Sequence, residues 1–195
     1  MKDLIQKAVE VLMQDGLIIY PTDTLYGLGA DALSEEAVSK VFEAKGREYH
    51  KPLSIAVCDP EMIAAVAYVD DIAKAFIEEF LPGPATLVLR ARTVLPPLLT
   101  AGTNLIGIRY PAQDVALEII SRFDSPITAT SANLSGCPSP ITVNDALVPH
   151  DFCIDVGALK GTPSTVVDLV HREIIRPGAN IERIGAVLAE WVQCE

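Results

Sequence analysis

In Ser164-Thr165-Val166-Val167-Asp168-Leu169-Val170-His171-Arg172-Glu173-Ile174-Ile175-Arg176-Pro177-Gly178, two runs rich in β-branched residues, Thr165 to Val170 and Glu173 to Arg176, are separated only by His171-Arg172. A parallel crossover needs a dozen or more residues, so this spacing predicts an antiparallel hairpin and argues against an all-parallel sheet. Outward from it, short apolar runs predict strands at Leu17 to Tyr20, Leu53 to Val57, Thr86 to Arg90, Leu105 to Arg109, Ile127 to Thr130 and Phe152 to Val156. Helical periodicity runs between them. Leu4, Ile5, Ala8, Val9, Leu12 and Met13 share a face that ends at Gly16, and Ser34 caps a helix with Ala37, Val38, Val41 and Phe42 on its apolar side. Asp59-Pro60 opens another, and a helix from about Asp71 to Leu81 stops at Pro82-Gly83-Pro84. Further helices are expected at Ala112 to Arg122, after Thr142, and from Ile181 to Val192. Interleaved strands and helices predict an α/β fold: residues 1–195 form a single domain built on one twisted, mixed to antiparallel sheet flanked by helices.

With 195 residues, half of them apolar, the chain has ample material for a core, which excludes disorder as its dominant state. Acidic residues outnumber basic ones 26 to 15, a formal charge of -11. Such a surface repels phosphate backbones, so strong direct nucleic-acid binding is not expected, nor is binding to an anionic membrane. Residues 40 to 51 differ: Lys40, Lys45, Arg47 and Lys51 against Glu43 and Glu48 give +2, leaving 11 basic against 24 acidic residues, or -13, elsewhere. Apolar runs such as Met62 to Val69 fall far short of the ~20 residues that span a bilayer. Cys58, Cys137, Cys153 and Cys194 are scattered without a C-x-x-C pair, and no signal-peptide pattern opens the chain. A cytoplasmic protein with reduced, buried thiols is expected.

Three strands run into polar turns: Pro21-Thr22-Asp23-Thr24-Leu25-Tyr26-Gly27, Tyr110-Pro111, and Ser131-Ala132-Asn133-Leu134-Ser135-Gly136. Loops converging at strand ends predict one composite cleft. Gly27-Leu28-Gly29-Ala30-Asp31-Ala32 matches the dinucleotide pattern G-x-G-x-x-A only formally, since a polar loop separates it from the preceding strand and Lys45 to Lys51 stand where a lone carboxylate belongs. Arg109 and Arg176 each end an apolar strand just before a proline, a placement suited to a fork aimed at carboxylate or phosphate. His50, His150 and His171 are too scattered to propose a triad or a metal site. Cations, hydroxyls and an amide without a nucleophile–base pair point to binding and stabilising anions.

Taken together, Pro21-Thr22-Asp23-Thr24-x-Tyr26-Gly27-Leu28, Lys45-x-Arg47 with Lys51-Pro52-Leu53, Pro82-Gly83-Pro84-x-Thr86, Gly107-Ile108-Arg109-x-Pro111, Ser131-Ala132-Asn133-x-Ser135-Gly136, Ser164-Thr165-Val166-Val167-Asp168 and Arg176-Pro177-Gly178 resemble the YrdC family, in its order, from about residue 5 to 190. The resemblance implies a large concave cleft and a nucleotidyltransferase activity, threonylcarbamoyl-AMP synthesis. L-threonine, bicarbonate or CO2 and ATP would give threonylcarbamoyl-adenylate and pyrophosphate, for a downstream tRNA threonylcarbamoyl transferase complex. It further implies that Thr24, Arg109 and Ser164 hold threonine and that Lys45, Arg47, Ser131 and Asn133 engage phosphates and developing charge. Arg47, Lys51, Ser131, Ser139 and Arg176 would contact ATP, whose Mg2+ comes with the nucleotide since no dedicated protein metal site is visible. Two departures stand out. Ala56 replaces a histidine common in relatives, and a chain ending near residue 195 would lack the C-terminal extension of longer members. Two other readings remain open at this stage: a carbamoyl-adenylate-forming YrdC relative, and a non-catalytic RNA-binding module.

Overall fold

A computed structural model describes residues 1–193. In chain order the elements are α1 (Lys2–Leu12), β1 (Ile18–Pro21), β2 (Tyr26–Gly29), α2 (Glu35–Lys45), β3 (Ser54–Ala56), α3 (Pro60–Val66), α4 (Asp71–Phe80), β4 (Ala85–Arg90), α5 (Pro97–Thr100), β5 (Leu105–Arg109), α6 (Asp114–Phe123), β6 (Ile127–Thr128), β7 (Thr130–Ser131), β8 (Phe152–Cys153), β9 (Thr165–Asp168), β10 (Glu173–Arg176) and α7 (Ile181–Gln193). The expected hairpin is present, with β9 and β10 antiparallel and a bulge between Ile174 and Arg176.

The mixed α/β class stands, but the strands divide between two sheets where one was expected. The larger has the order β10-β9-β4-β5-β3-β6, with β4–β9 and β3–β5 parallel and its other pairs antiparallel. The smaller has the order β7-β2-β1-β8, with only β1–β8 parallel. The run Ile127 to Thr130 is shared out between them, β6 closing one sheet and β7 the other.

Alternation along β1 sorts its side chains between two apolar clusters. Ile19 enters the main core with Leu28, Phe42, Ile55, Leu87 and Ile108, whereas Ile18 and Tyr20 meet α1 and α6 through Ile5, Leu12, Ile119 and Ile120. Helix starts follow side-chain chemistry. Ser34, Asp59 and Asp70 accept hydrogen bonds from the amides of Ala37, Met62 and Ala73, at 3.2, 2.6 and 2.8 Å. Gly46, at φ 56°, closes α2: its amide reaches Glu43 O and the Arg47 amide reaches Phe42 O. This reversal turns Lys45 and Arg47 inward.

Four further expectations need correction. The helix after Thr142 is a single 3-10 turn, Val143–Asp145, started by a Thr142–Asp145 capping box and denied room to extend by Pro149, which has no N–H to donate and disfavours helix at Val148. The strand expected over Phe152 to Val156 pairs only at Phe152 and Cys153, since Asp155 then turns the chain by accepting from the Gly157 amide. β2, expected as loop, is a strand. The thiols are not buried: Cys58 and Cys153 are half-buried and Cys137 is exposed, while Cys194 lies outside the described residues. Burial of the half-buried Cys58 thiol still pushes its pKa up to about 11, which disfavours the reactive thiolate.

Candidate functional site

The polar turns after β1, β5 and β7 meet the loop after α2 and the start of β9 around one cavity of about 320 Å³. All ten sequence-derived candidates line it: Thr24, Lys45, Arg47, Lys51, Arg109, Ser131, Asn133, Ser139, Ser164 and Arg176. Of the basic stretch 40 to 51, Lys40 is the exception; it pairs with Glu36 at 2.9 Å and faces away.

Lys45 is 3% exposed at the end of α2, where its ammonium donates to Ser131 O and, at 2.6 Å, to Asn133 O. Burial and the charge of Arg47 push its pKa down to about 8. Arg47 donates from Nε to Lys51 O (3.1 Å) and from Nη2 to Pro52 O (2.8 Å), and burial lowers its pKa. The Asn133 amide nitrogen donates to Leu134 O and Cys137 O, at 2.9 and 2.7 Å, which leaves its buried Oδ1 without a partner. Lys51 is held differently, paired with Glu48 at the rim.

A second pair of cations forms the opposite side. Arg176 donates to Ser164 O (2.9 Å) and Ser164 Oγ (3.2 Å), and Ser164 Oγ lies 2.7 Å from Thr86 Oγ1. Burial, then the charge of Arg109, lowers the Arg176 pKa. Arg109 is 6% exposed; Nη1 donates to Gly83 O and Ala85 O, and Nη2 pairs with Asp23. Its fork is therefore largely spent on the protein, whereas the sequence suggested one free to grip a ligand carboxylate. Burial lowers its pKa and Asp23 opposes that shift. Thr24 is buried, and Thr22 Oγ1 fixes it by accepting from the amides of Thr24 and Leu25.

Sequence reading missed two participants. Thr86 stands in the Pro82-Gly83-Pro84-x-Thr86 motif, and its hydroxyl signal was there to be used. Asp23, between two threonines, becomes the counter-ion of an arginine 86 positions away, which no local pattern reveals. Ala56 lines the cavity and presents a methyl group to it.

Gly178 explains the end of the Arg-Pro-Gly motif. A Cβ there would lie 2.6 Å from Ser164 C and 2.7 Å from Ser164 O, a backbone collision. We expect Gly178→Ala to displace Ser164, costing about 1–3 kcal/mol of stability in denaturant titration and weakening whatever ligand Ser164 holds; a wild-type denaturation midpoint would refute this packing.

Gly27 and Gly29 likewise serve packing. Cβ atoms there would meet the Tyr20 ring at 3.0 and 2.9 Å. Both sit in β2, paired with β1, so they do not form the helix-opening loop of a dinucleotide site.

Comparison with known proteins agrees. The Sua5/YciO/YrdC family model, described as "Telomere recombination", matches residues 10–178. The threonylcarbamoyl-AMP synthase of Pyrococcus abyssi is 39% identical over 197 residues, covering 95% of this chain and 57% of that protein. A Methanocaldococcus jannaschii protein is 40% identical over 179 residues, 89% of this chain and 84% of its own length. The chain thus spans most of one relative and little more than half of the other. Among solved structures, P. abyssi Sua5 complexed with L-threonine superposes with a TM-score of 0.89 at 38% identity, covering 94% of this chain and 56% of that one. Escherichia coli YciO superposes at 0.84 and 26% identity, covering 92% and 91%. Family model, sequence identity and fold agree: this chain belongs to the Sua5/YciO/YrdC family.

Proposed function

We propose that this chain is a threonylcarbamoyl-AMP synthase, condensing L-threonine, bicarbonate or CO2 and ATP into threonylcarbamoyl-adenylate and pyrophosphate. One observation carries the reading. In a chain of net charge -11, five cations drawn from residues 45 to 176 line a single cavity, four of them in two mutually repelling pairs, Lys45 with Arg47 and Arg109 with Arg176. Like charges held together beside a desolvated wall repel, and an anion bound between them relieves that repulsion. Two pairs suit two anionic ligands.

The Arg109 side takes threonine. The hydroxyls of Thr24 and Ser164 supply its direct polar contacts, and Arg109, locked by Asp23 and two carbonyls, supplies a fixed positive field for its carboxylate. The Lys45 side takes the triphosphate, with Arg47, Lys51, Ser131 and Ser139 around the nucleotide, Arg176 reaching it from the opposite side, and the free Asn133 Oδ1 accepting from a ligand N–H or O–H. Once threonine's amine has taken up CO2, a carbamate oxygen attacks the α-phosphorus and the bond to the β-phosphate oxygen breaks. Lys45 and Arg47 stabilise the charge that collects on departing pyrophosphate, so positioning and electrostatics suffice without a covalent enzyme intermediate. Among the described residues no group of three or more His, Cys, Asp and Glu side chains converges. Any Mg2+ would ride on the ATP phosphates and offset their charge. No described helix is long and apolar enough to cross a membrane; the reading places the protein in the cytoplasm, handing its labile product to a tRNA threonylcarbamoyl transferase complex. The test is mass-spectrometric detection of threonylcarbamoyl-adenylate formed by the purified chain. Formation of carbamoyl-adenylate from carbamoyl phosphate instead would reassign it.

The Lys45 pKa sets a pH dependence. Below about pH 8 the ammonium is charged and binds phosphate; above it the free protein loses that charge. We expect kcat/KM for ATP to fall as pH rises through about 8, by about tenfold per unit beyond it. In Lys45→Arg the alkaline limb disappears. A profile flat to pH 10 in the wild-type protein would remove Lys45 from the phosphate site.

A further inference from the structure

A second cavity, of about 340 Å³, shares no lining residue with the first. It lies at the other end of the same strands. Thr86 and Ser164, at the amino ends of the parallel pair β4 and β9, face the first cavity, while Leu89, Arg90 and Leu169, at their carboxyl ends, face the second. The carboxyl ends of parallel strands are where ligands collect in open α/β sheets, because the following loops diverge there. Here Arg90 at the end of β4, Arg92 just after it, Arg172 in the turn after β9 and Tyr68 between α3 and α4 come to one rim.

Charge pairing sets this rim apart. Lys7, Lys40, Lys51, Lys74, Arg109, Arg122 and Arg183 each have a carboxylate within 4.0 Å. Among the described residues, the cations without such an ion pair are Lys2 and Lys160, which line neither cavity, Lys45, Arg47 and Arg176 in the first cavity, and the exposed Arg90 and Arg92, which stand together in the second. In a protein with 26 acidic residues, leaving arginines side by side without counter-ions on a concave surface marks a place kept for an external anion. The only carboxylate on the lining, Asp70, already accepts from the Ala73 amide at the start of α4. Arg92 is also oriented. Its Nε donates to Ala67 O at 3.2 Å and its guanidinium lies 4.5 Å from the Tyr68 ring centroid, which stiffens the arginine and leaves the ring, 55% exposed, at the rim. Leu89, Ile72 and Leu169 give the cavity an apolar floor.

We infer that this second cavity binds a small phosphorylated molecule, Arg90 and Arg92 holding its phosphate and Tyr68 offering a stacking face to any ring it carries. The size suits a nucleotide. Arg172, already engaged within the protein, frames the site with its positive charge. The inference is independent of the chemistry assigned to the first cavity.

The test is NMR shift mapping on the 15N-labelled full chain, titrated separately with inorganic phosphate and AMP. We expect saturable shifts at the amides of residues 67–70, 89–92 and 169–172, and binding there weakened at least about tenfold in Arg90→Gln/Arg92→Gln. The double variant should keep wild-type turnover and wild-type shifts around residues 22–27 and 45–51. Tighter binding of AMP than of phosphate would assign a stacking role to Tyr68, and equal binding would assign the site to the phosphate alone; both support the inference. Shifts confined to the first cavity, a titration that stays linear, or an unchanged response in the double variant would overturn it.

Discussion

Arg109→Ala is expected to lower stability by about 3–5 kcal/mol, the largest loss from any single substitution in the cavity wall. The cause is the partner left behind. Asp23 lies buried beside Arg109, and one of its carboxylate oxygens, Oδ2, already has no hydrogen bond. Removing the guanidinium strands the whole carboxylate in a desolvated wall and frees the carbonyls of Gly83 and Ala85. Urea denaturation measures the loss, and the double variant Asp23→Ala/Arg109→Ala should recover part of it, because the buried charge goes with its partner. A single variant within about 1 kcal/mol of wild type would show that the pair is not desolvated. Arg109→Lys, which keeps the charge but not the three-acceptor fork, separates stability from ligand binding: we expect a folded protein with a raised threonine requirement, and an unchanged requirement would take Arg109 out of the threonine end.

Arg47→Ala should have the opposite profile. Its side chain is only half-buried and its contacts are two carbonyls of the adjoining loop, so stability should fall by about 1–2 kcal/mol at most. Turnover should fall by about a hundred- to a thousandfold, the scale seen when a fixed donor to developing negative charge is removed. Steady-state pyrophosphate release checks the rate and circular dichroism checks the fold. Near-normal activity would strike Arg47 from the mechanism.

These contrasting outcomes follow from what local sequence can and cannot carry. The hairpin at Thr165 to Arg176 and the helix caps at Ser34, Asp59 and Asp70 were legible because each depends on residues close in the chain, whereas the ten cavity residues, spread from Thr24 to Arg176, were expected from the order of motifs that resembles the YrdC family. β2 was not. Gly27 and Gly29 read as loop, yet their missing side chains let the Tyr20 ring lie against the strand, a long-range packing demand written as flexibility. The split of Ile127 to Thr130 between two sheets was hidden for the same reason, since both partner strands lie far away in sequence. Within the site, residue types were readable but allegiance was not: Arg109 looked free until Asp23 closed on it, and Lys51 until Glu48 did.

The measurement that bears most directly on the proposed activity is pyrophosphate release from ATP by the purified chain, with threonine and bicarbonate supplied separately and together. Release only when both are present is the predicted result. Release that ignores either one, or none with both, would contradict it.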